Sequence, residues 1–302
     1  MAKEQPDTTK NDSMSRQDTE HDNPIPDVKR VIAVSSGKGG VGKSTVAANL
    51  SVSLALTGFK VGLMDADIYG PNIPMMMGVT KPPEKEGEKI KPAEGHGVKV
   101  ISMGYFVPDE TPVVWRGPMV HSAIQQFFRD VVWGTLDYLL IDLPPGTGDV
   151  QLTLSQLVPL TGAVTVTTPQ EVALHDVRKG IMMFQKVNVP ILGVIENMSY
   201  FICGHCGERS EIFSCGGGER AAEKFGVPFL GRIPIDPMIR EGGDQGMPIV
   251  VAQPMSPQAA LFKEVTENLV KQIRQIETSG TSRTPSISNI LEQFKKPVEA
   301  HQ

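Results

Sequence analysis

The stretch "GKGGVGKST" combines residue types and spacings that bind phosphate. Gly37, Gly39 and Gly42 fit the G-x-G-x-x-G pattern of a dinucleotide-binding turn, while residues 37–44 also fit G-x-x-x-x-G-K-S, the phosphate loop of nucleoside triphosphatases. A dinucleotide turn does not need Lys43, whereas a triphosphate needs a cation on its terminal phosphates and a hydroxyl, Ser44, on magnesium. The sequence therefore favours a triphosphate site, with a helix that starts near Lys43 and adds its positive dipole end.

Three aspartates lie at the ends of apolar runs that predict strands. Asp142 ends the run in "DYLLIDLPPGTGD", where a carboxylate would hold magnesium through water. Asp65 and Asp67 come at the end of "KVGLMDAD", and Asp65 also lies where a dinucleotide fold places its ribose-binding acid. We assign Asp65 with Asp142 to magnesium, and we expect Asp67 to orient or deprotonate the water that attacks the γ-phosphate.

All three cysteines of the chain lie within the segment 197–219, as Cys203, Cys206 and Cys215. Thiolates with two residues between them converge on one ion or cluster, so Cys203 and Cys206 supply one side of a metal centre. A zinc ribbon would require a second C-x-x-C, which this sequence lacks, and a thioredoxin-like pair would open a helix rather than stand among glycines. An iron–sulfur cluster that is bridged by two chains needs only two cysteines from each chain.

The elements that position these residues follow from alternating apolar patterns. Short runs rich in Val and Ile alternate with helical patterns, which predicts an α/β fold with a doubly wound, mostly parallel sheet and helices on both faces. We predict helices that begin near Lys43, Pro118, Val150, Glu171 and Glu219, and a last one over 257–275. Strands are predicted at "RVIAVSS", "KVGLMDAD", "VKVISM", "LDYLLIDL", "GAVTVTT", "PILGVIEN" and "PFLGRIP".

The chain divides into three parts by composition. Residues 1–27 are polar and charged, which predicts a disordered arm, and residues 28–276 form the phosphate-loop domain with the cysteine-pair loop at 199–218. Within it, the charged, Pro- and Gly-rich segment 78–97 is predicted to be a surface loop. Residues 277–302 are predicted to be a flexible tail, in which apolar residues at helical spacing suggest a short frayed helix or an anchor for a membrane or a partner.

Charge and hydropathy exclude some functions. The net charge of −5 gives no broad attraction to nucleic acid or anionic lipid, and the sequence contains no apolar run long enough to span a membrane and no signal peptide. We therefore expect a cytoplasmic protein that binds no nucleic acid and does not associate stably with membranes. In that compartment a disulfide framework is disfavoured, which leaves the thiols available for metal or redox chemistry.

Taken together, these motifs resemble a known family. "GKGGVGKST", with Lys38 after the first glycine, resembles the deviant phosphate loop of dimeric ATPases that include the Min and Par proteins, the arsenite pump ATPase and nitrogenase reductase. Within that class, "DADIYGPNIP", "WRGPM", "IDLPPGTGD", "TTPQEVALHDVRKG", "GVIENMSYFIC", "CGHC" and "CGGGE" are similar to the Mrp/Nbp-type (ApbC-like) iron–sulfur cluster carriers. The resemblance covers about residues 28–275.

The resemblance implies a role for each matching residue. Lys38 matches the lysine that reaches across a dimer to the partner's nucleotide, Asp67 matches the first switch, and residues 142–146, which end at Gly146, match the second. Asn197 matches the asparagine that contacts adenine, and the loop from Pro234 to Asp236 would lie near the base. The implied phosphate cradle consists of Gly37, Lys38, Gly39, Gly40, Val41, Gly42, Lys43, Ser44 and Thr45.

The resemblance also favours an iron–sulfur cluster over zinc or a redox pair at Cys203 and Cys206. It implies a homodimeric, slow ATPase that uses ATP and magnesium. The dimer would bind a [4Fe-4S] cluster between its two subunits through Cys203 and Cys206. Its partners would be a cluster-assembly scaffold and the recipient apoproteins. Cys215 departs from the family pattern, and of a third ligand, a redox liability or a buried small side chain we favour the last. The alternative function is a Min/Par-like positioning ATPase that acts through membrane or DNA attachment.

Overall fold

The computed structural model describes residues 23–106, 117–146 and 148–279, and the following statements refer to this part of the chain. Its strands are β1 (Val31–Ser36), β2 (Val61–Asp65), β3 (Glu84–Glu86), β4 (Lys89–Lys91), β5 (Ala93–Gly95), β6 (Val98–Ser102), β7 (Tyr138–Asp142), β8 (Gly162–Thr167), β9 (Ile191–Glu196), β10 (Phe201–Ile202), β11 (Arg209–Ser210) and β12 (Phe229–Arg232). Its α-helices are α1 (Lys43–Leu56), α2 (Ile73–Met76), α3 (Gly117–Asp130), α4 (Asp149–Leu157), α5 (Glu171–Lys186), α6 (Gly217–Phe225), α7 (Pro237–Asp244), α8 (Ile249–Ala252) and α9 (Pro257–Ser279).

One large sheet organises the described residues, in the order β12-β9-β8-β1-β7-β2-β6-β5. Neighbouring strands are parallel, except that β5 runs antiparallel to β6 at the edge. Strands β1, β2, β7, β8 and β9 are buried along their whole length, as expected for a sheet that helices cover on both faces. The sheet confirms the predicted doubly wound α/β class.

The register of the central strands determines where the polar side chains meet. Asp65 of β2 pairs with Asp142 of β7, and Val34 of β1 pairs with the same Asp142. Because parallel strands end at one edge of the sheet, the loops after β1, β2 and β7 converge there. This edge is where an open α/β sheet binds its ligand.

Two apolar cores hold the helices against the sheet. On one face α3, α4, α5 and α6 pack over the strands, and the apolar side chains that recur at helical spacing along α5 form a buried stripe, Ala173, Val177, Ile181 and Phe184. On the other face α1 and α9 pack together, with Leu50, Leu54, Phe262 and Leu269 buried. Helix α1, which follows the phosphate loop, is therefore held between the sheet and α9.

Some elements differ from the sequence prediction. The segment 78–97, predicted to be a surface loop, contains the β3–β4 hairpin and the edge strand β5. Ile90 of β4 is only 8% exposed, so one apolar side chain among charged neighbours anchors this hairpin. The short helices α2, α7 and α8 were not predicted, and α9 continues to Ser279. Ile25, which the sequence places in the arm, is buried in the core.

Helices long and apolar enough to cross a bilayer were searched for in the part of the chain described here, and none was found.

Candidate functional site

The phosphate loop connects β1 to α1, and its shape depends on glycine at two positions. Gly42 precedes α1 with a φ of 78°, in the left-handed region, and a Cβ there would collide with the side-chain amide of Asn197. A Cβ on Gly37 would lie 2.7 Å from the backbone carbonyl carbon of Asp176 in α5. The loop is therefore closely packed between α5 and the segment after β9.

A buried ion pair lies at the base of this loop. Lys43 Nζ is 2.7 Å from Asp142 Oδ1 and 3.6 Å from Asp67 Oδ2, and Ser44 Oγ donates a 2.6 Å hydrogen bond to Asp142 Oδ2. Lys43 is 6% exposed and Asp142 is fully buried. The structure thus brings together the lysine, the hydroxyl and the carboxylate that the sequence assigns to phosphate and magnesium.

Burial raises the pKa of both strand-end aspartates. For Asp142, burial is opposed by the charge and the hydrogen bond of Lys43, and the pKa stays above its ordinary value. For Asp65, burial and the neighbouring Asp142 raise the pKa to about 8. A cation near these carboxylates would stabilise their charged forms, so the site favours a positive ion.

Asp65 and Asp67 have different surroundings. Asp65 Oδ1 accepts from the Asp67 backbone N–H, and its Oδ2 accepts from Ser102 Oγ at 2.9 Å and from the Ile73 N–H at 3.3 Å. Both oxygens of Asp65 are thus engaged within the protein. Asp67, in contrast, lines the cavity beside the phosphate loop, and its Oδ1 accepts from the Tyr69 N–H.

The cavity beside the loop has a volume of about 350 Å³ and lies at the ligand edge of the sheet. Its lining includes the predicted Lys43, Ser44 and Asp67, together with Tyr69 and Pro145. Tyr69 is 76% exposed at this position. The sequence did not single out Tyr69, although it lies inside the quoted motif "DADIYGPNIP".

Lys38 and Gly146 also lie at this cavity or close to it. Lys38 Nζ donates a 2.9 Å hydrogen bond to Gln170 Oε1, just before α5. Gly146 N–H donates to the Ser36 carbonyl at 2.9 Å, and Gln151 of α4 donates to the Gly146 carbonyl at 2.9 Å. Sequence reasoning missed Gln170 and Gln151. The quoted motif "TTPQEVALHDVRKG" contains Gln170, whereas no motif signals Gln151.

The residues assigned to the base make structural contacts within this chain. Asn197 is 6% exposed, and its Nδ2 donates a 2.8 Å hydrogen bond to the Val41 carbonyl in the phosphate loop. Asp236 caps α7 by accepting from the Met238 N–H at 2.8 Å. Pro234 is buried. None of Asn197, Pro234 and Asp236 is among the described residues that line the 350 Å³ cavity.

The cysteine pair lies at the tip of a small hairpin formed by β10 and β11. Cys203 N–H donates to the Glu208 carbonyl at 2.9 Å, and Gly207 N–H donates to the Cys203 carbonyl at 2.8 Å, which closes the turn. The N–H groups of Cys206 and His205 donate to the Cys203 sulfur and, with the Cys206 side chain, lower the pKa of this thiol. Cys206 is exposed and Cys203 is half-buried. The turn therefore presents two thiols to solvent and favours the thiolate form at Cys203.

The donor set of this turn fits half of a cluster site. Within residues 23–106, 117–146 and 148–279, no group of three or more His, Cys, Asp or Glu side chains is arranged to hold a metal ion. Cys215 Sγ lies 3.1 Å from Arg209 Nη2 and 3.5 Å from Ser199 Oγ, and Cys215 is half-buried rather than exposed. The described residues of one chain thus offer one exposed and one half-buried thiol in a turn, without a third ligand beside them.

Comparison with protein families gives one match that covers most of the chain. Residues 27–270 match a family model of the ParA group that is described as the NUBPL iron-transfer P-loop NTPase. A protein of Synechocystis named iron-sulfur cluster carrier protein is 51% identical over 252 residues, which are 82% of this chain and 71% of that protein. A Dictyostelium discoideum protein named iron-sulfur cluster transfer protein NUBPL is 51% identical over 268 residues, which are 87% of this chain and 83% of that protein.

Solved structures agree with this match. A nucleotide-binding protein from Archaeoglobus fulgidus, solved in complex with ADP, has a TM-score of 0.68 and 40% identity, over 79% of this chain and 94% of that one. The cell division ATPase MinD of Pyrococcus furiosus has a TM-score of 0.61 and 28% identity, over 80% of this chain and 98% of that one. Both share the phosphate-loop fold described above.

Proposed function

The chain belongs to the NUBPL-type family of iron-transfer P-loop NTPases. From this premise we propose that two identical subunits bind one iron–sulfur cluster at their interface and deliver it to apoproteins. It is an ATPase, with ATP and magnesium as the ligands of its phosphate loop. The cluster is its cargo. The observation that carries the proposal is the exposed Cys203–Cys206 turn, which offers two thiols where a cluster requires four.

Lys43, Ser44 and Asp142 form the part of the site that would hold nucleotide. The ion pair between Lys43 and Asp142 holds the lysine side chain at the base of the phosphate loop. Lys43 would pair with the phosphates of a bound triphosphate, and the Ser44 hydroxyl and Asp142 would hold magnesium directly or through its waters. Magnesium, when bound, neutralises charge on the phosphates.

Asp65 would act through Asp67 rather than on magnesium directly. Its two oxygens hold the Asp67 and Ile73 N–H groups and the Ser102 hydroxyl, so it fixes the backbone from which Asp67 projects. Asp67 lines the cavity and accepts a proton from water, or orients that water, during hydrolysis. This division of roles replaces the assignment of Asp65 to magnesium that the sequence suggested.

Lys38 would act across the dimer. In the single chain its ammonium group is held by the neutral amide of Gln170, a weaker partner than a carboxylate. A phosphate of the nucleotide on a second subunit would attract the lysine away from Gln170. The ATP-bound dimer would then complete each active site, and the same dimer would bring two cysteine turns together.

The alternative of a Min/Par-like positioning ATPase receives less support. The MinD relative matches at 28% identity, whereas the two cluster proteins named above match at 51%. The Cys203–Cys206 pair favours the cluster carrier, because thiolates are the ligands of iron–sulfur clusters. We therefore propose that this chain shares the fold of the positioning ATPases but not their function.

Reconstitution under anaerobic conditions with iron and sulfide tests the proposal. The wild-type protein should hold about four irons and four sulfides per dimer, and Cys203→Ser or Cys206→Ser should abolish stable loading. Cys215→Ser is the matched control and should load like the wild type, because its sulfur is engaged with Arg209 and Ser199. Zinc instead of iron in the anaerobically purified wild-type protein would contradict the proposal, and so would full cluster loading of Cys203→Ser.

A further inference from the structure

We propose that a cationic groove between α5 and α6 docks an acidic segment of the apoprotein that receives the cluster. The groove has a volume of about 420 Å³ and is separate from the nucleotide cavity. Ala221 and Phe225, 5% and 4% exposed, form its apolar floor. The proposal rests on the proposed function, because it names the kind of partner that a cluster carrier would recognise.

Charged side chains of α5 and α6 form the walls of the groove. His175 and Arg178 lie three residues apart on α5, and Arg220 and Lys224 lie four residues apart on α6, so each pair occupies one face of its helix. Glu171 is the one carboxylate among the described lining residues. The groove thus brings together three basic side chains, those of Arg178, Arg220 and Lys224, on a chain whose net charge is −5.

The groove is connected to the cysteine turn by direct contacts. Arg220 Nη1 donates to the Cys215 carbonyl at 3.2 Å, and Cys215 Sγ lies 3.1 Å from Nη2 of Arg209, which belongs to β11 of the cysteine hairpin. Cys215 therefore contacts both α6, which forms one wall of the groove, and β11, which forms part of the cysteine hairpin. A protein bound in the groove would lie next to the cluster that Cys203 and Cys206 present.

The chemistry of the groove selects an acidic polypeptide. Guanidinium groups bind carboxylates in a bidentate manner, and an apolar floor between two helices accommodates the side chains of a peptide better than a small anion. Opposite charges on the two proteins also increase their rate of encounter. Inorganic phosphate, nucleic acid and a second copy of this chain are the competing occupants, and the test separates them.

Two synthetic peptides serve as probes for this groove. One carries a Cys-x-x-Cys pair flanked by aspartates, labelled with a fluorophore, and its twin has asparagine at every aspartate position. The variant Arg220→Glu/Lys224→Glu removes the α6 cations, and Lys263→Glu/Lys271→Glu on exposed positions of α9 makes the same change of charge elsewhere. Because reversal of charge could disturb α6, the milder Arg220→Gln/Lys224→Gln is measured as well.

The aspartate peptide should bind the wild type and the α9 variant equally, and its affinity should fall with added salt. Affinity should fall by at least about tenfold in Arg220→Glu/Lys224→Glu and by less in the glutamine variant. Equal binding of the two peptides, equal loss in the α9 variant, or equal competition by inorganic phosphate or an oligonucleotide would overturn the proposal. So would a change in the oligomeric state of the glutamate variant, because the groove would then be an interface between copies.

A second readout separates this proposal from the proposed function. The glutamate variant should load iron and sulfide and hydrolyse ATP like the wild type, but it should transfer the cluster about tenfold more slowly to two copies of the aspartate peptide, which together supply the four thiolates that a cluster requires. Failure of the wild type itself to load a cluster would contradict the proposed function. Normal loading with unchanged transfer would contradict the groove alone.

Discussion

Replacement of Lys43 by methionine should remove nucleotide binding and also make the stability of the protein depend on pH. Methionine is unbranched and only one atom shorter than lysine, so the loss of charge is the main change. Asp142, fully buried, then loses the cation at 2.7 Å, and Asp67 loses it at 3.6 Å. Leaving a buried charge without its partner costs about 3–5 kcal/mol.

The sign of the pH dependence follows from the pKa of Asp142. Burial already raises this pKa, and loss of Lys43, which opposes burial, raises it further above the value of about 3.9 in the unfolded chain. The folded variant then binds more protons than the unfolded chain. Its free energy of unfolding should therefore fall as pH rises from about 4, by up to ~1.4 kcal/mol per pH unit until the folded pKa is passed.

Chemical denaturation of the nucleotide-free protein at a series of pH values measures this effect, and calorimetric titration with ATP measures binding. The double variant Lys43→Met/Asp142→Asn is the matched control, because it removes both charges and should recover much of the lost stability above neutral pH. The reasoning is refuted if Lys43→Met is as stable as the wild type at high pH. It is also refuted if Asp142→Asn adds to the loss instead of compensating for it.

Three further variants test the roles of single residues. Lys38→Ala should bind ATP normally in a calorimetric titration but hydrolyse it about 100-fold more slowly, and an equal loss of binding would contradict its role across the dimer. Asp67→Asn should retain ATP and slow phosphate release about 100-fold, whereas unchanged turnover would place the water acceptor elsewhere. Gly42 has a φ of 78° and packs against Asn197, so Gly42→Ala should lower the free energy of unfolding by at least about 1–2 kcal/mol and weaken ATP binding. A variant of wild-type stability would show that the loop accepts a side chain.

The parts of the fold that could be predicted are those with a repeated signal. The apolar runs that end in Asp65 and Asp142 are strands, and they meet at one edge because parallel strands share their direction. The stripe of α5 is buried as its spacing indicates. The β3–β4 hairpin was missed because a single buried side chain, Ile90, anchors a segment of otherwise charged residues.

The candidate site was predictable in its residue types but not in its internal contacts. Two separate motifs assigned Lys43, Ser44 and Asp142 to phosphate and magnesium, and the structure brings the three side chains within hydrogen-bonding distance. The contact of Asn197 with Val41 joins residues 156 positions apart, and no local pattern encodes a pair at that separation. The partner of Lys38, Gln170, is likewise distant along the chain.

The central claim is that one chain encodes half of a cluster site because a second chain supplies the other half. The most direct measurement mixes tagged wild-type chains with differently tagged Cys203→Ser/Cys206→Ser chains, isolates the heterodimer and counts its iron and sulfide after anaerobic reconstitution. Such a heterodimer has two of the four thiolates that a cluster requires, so we predict that it loses the cluster to a chelator while the wild-type homodimer retains it. A heterodimer that keeps four irons and four sulfides as firmly as the wild type would contradict the claim, because one chain would then suffice.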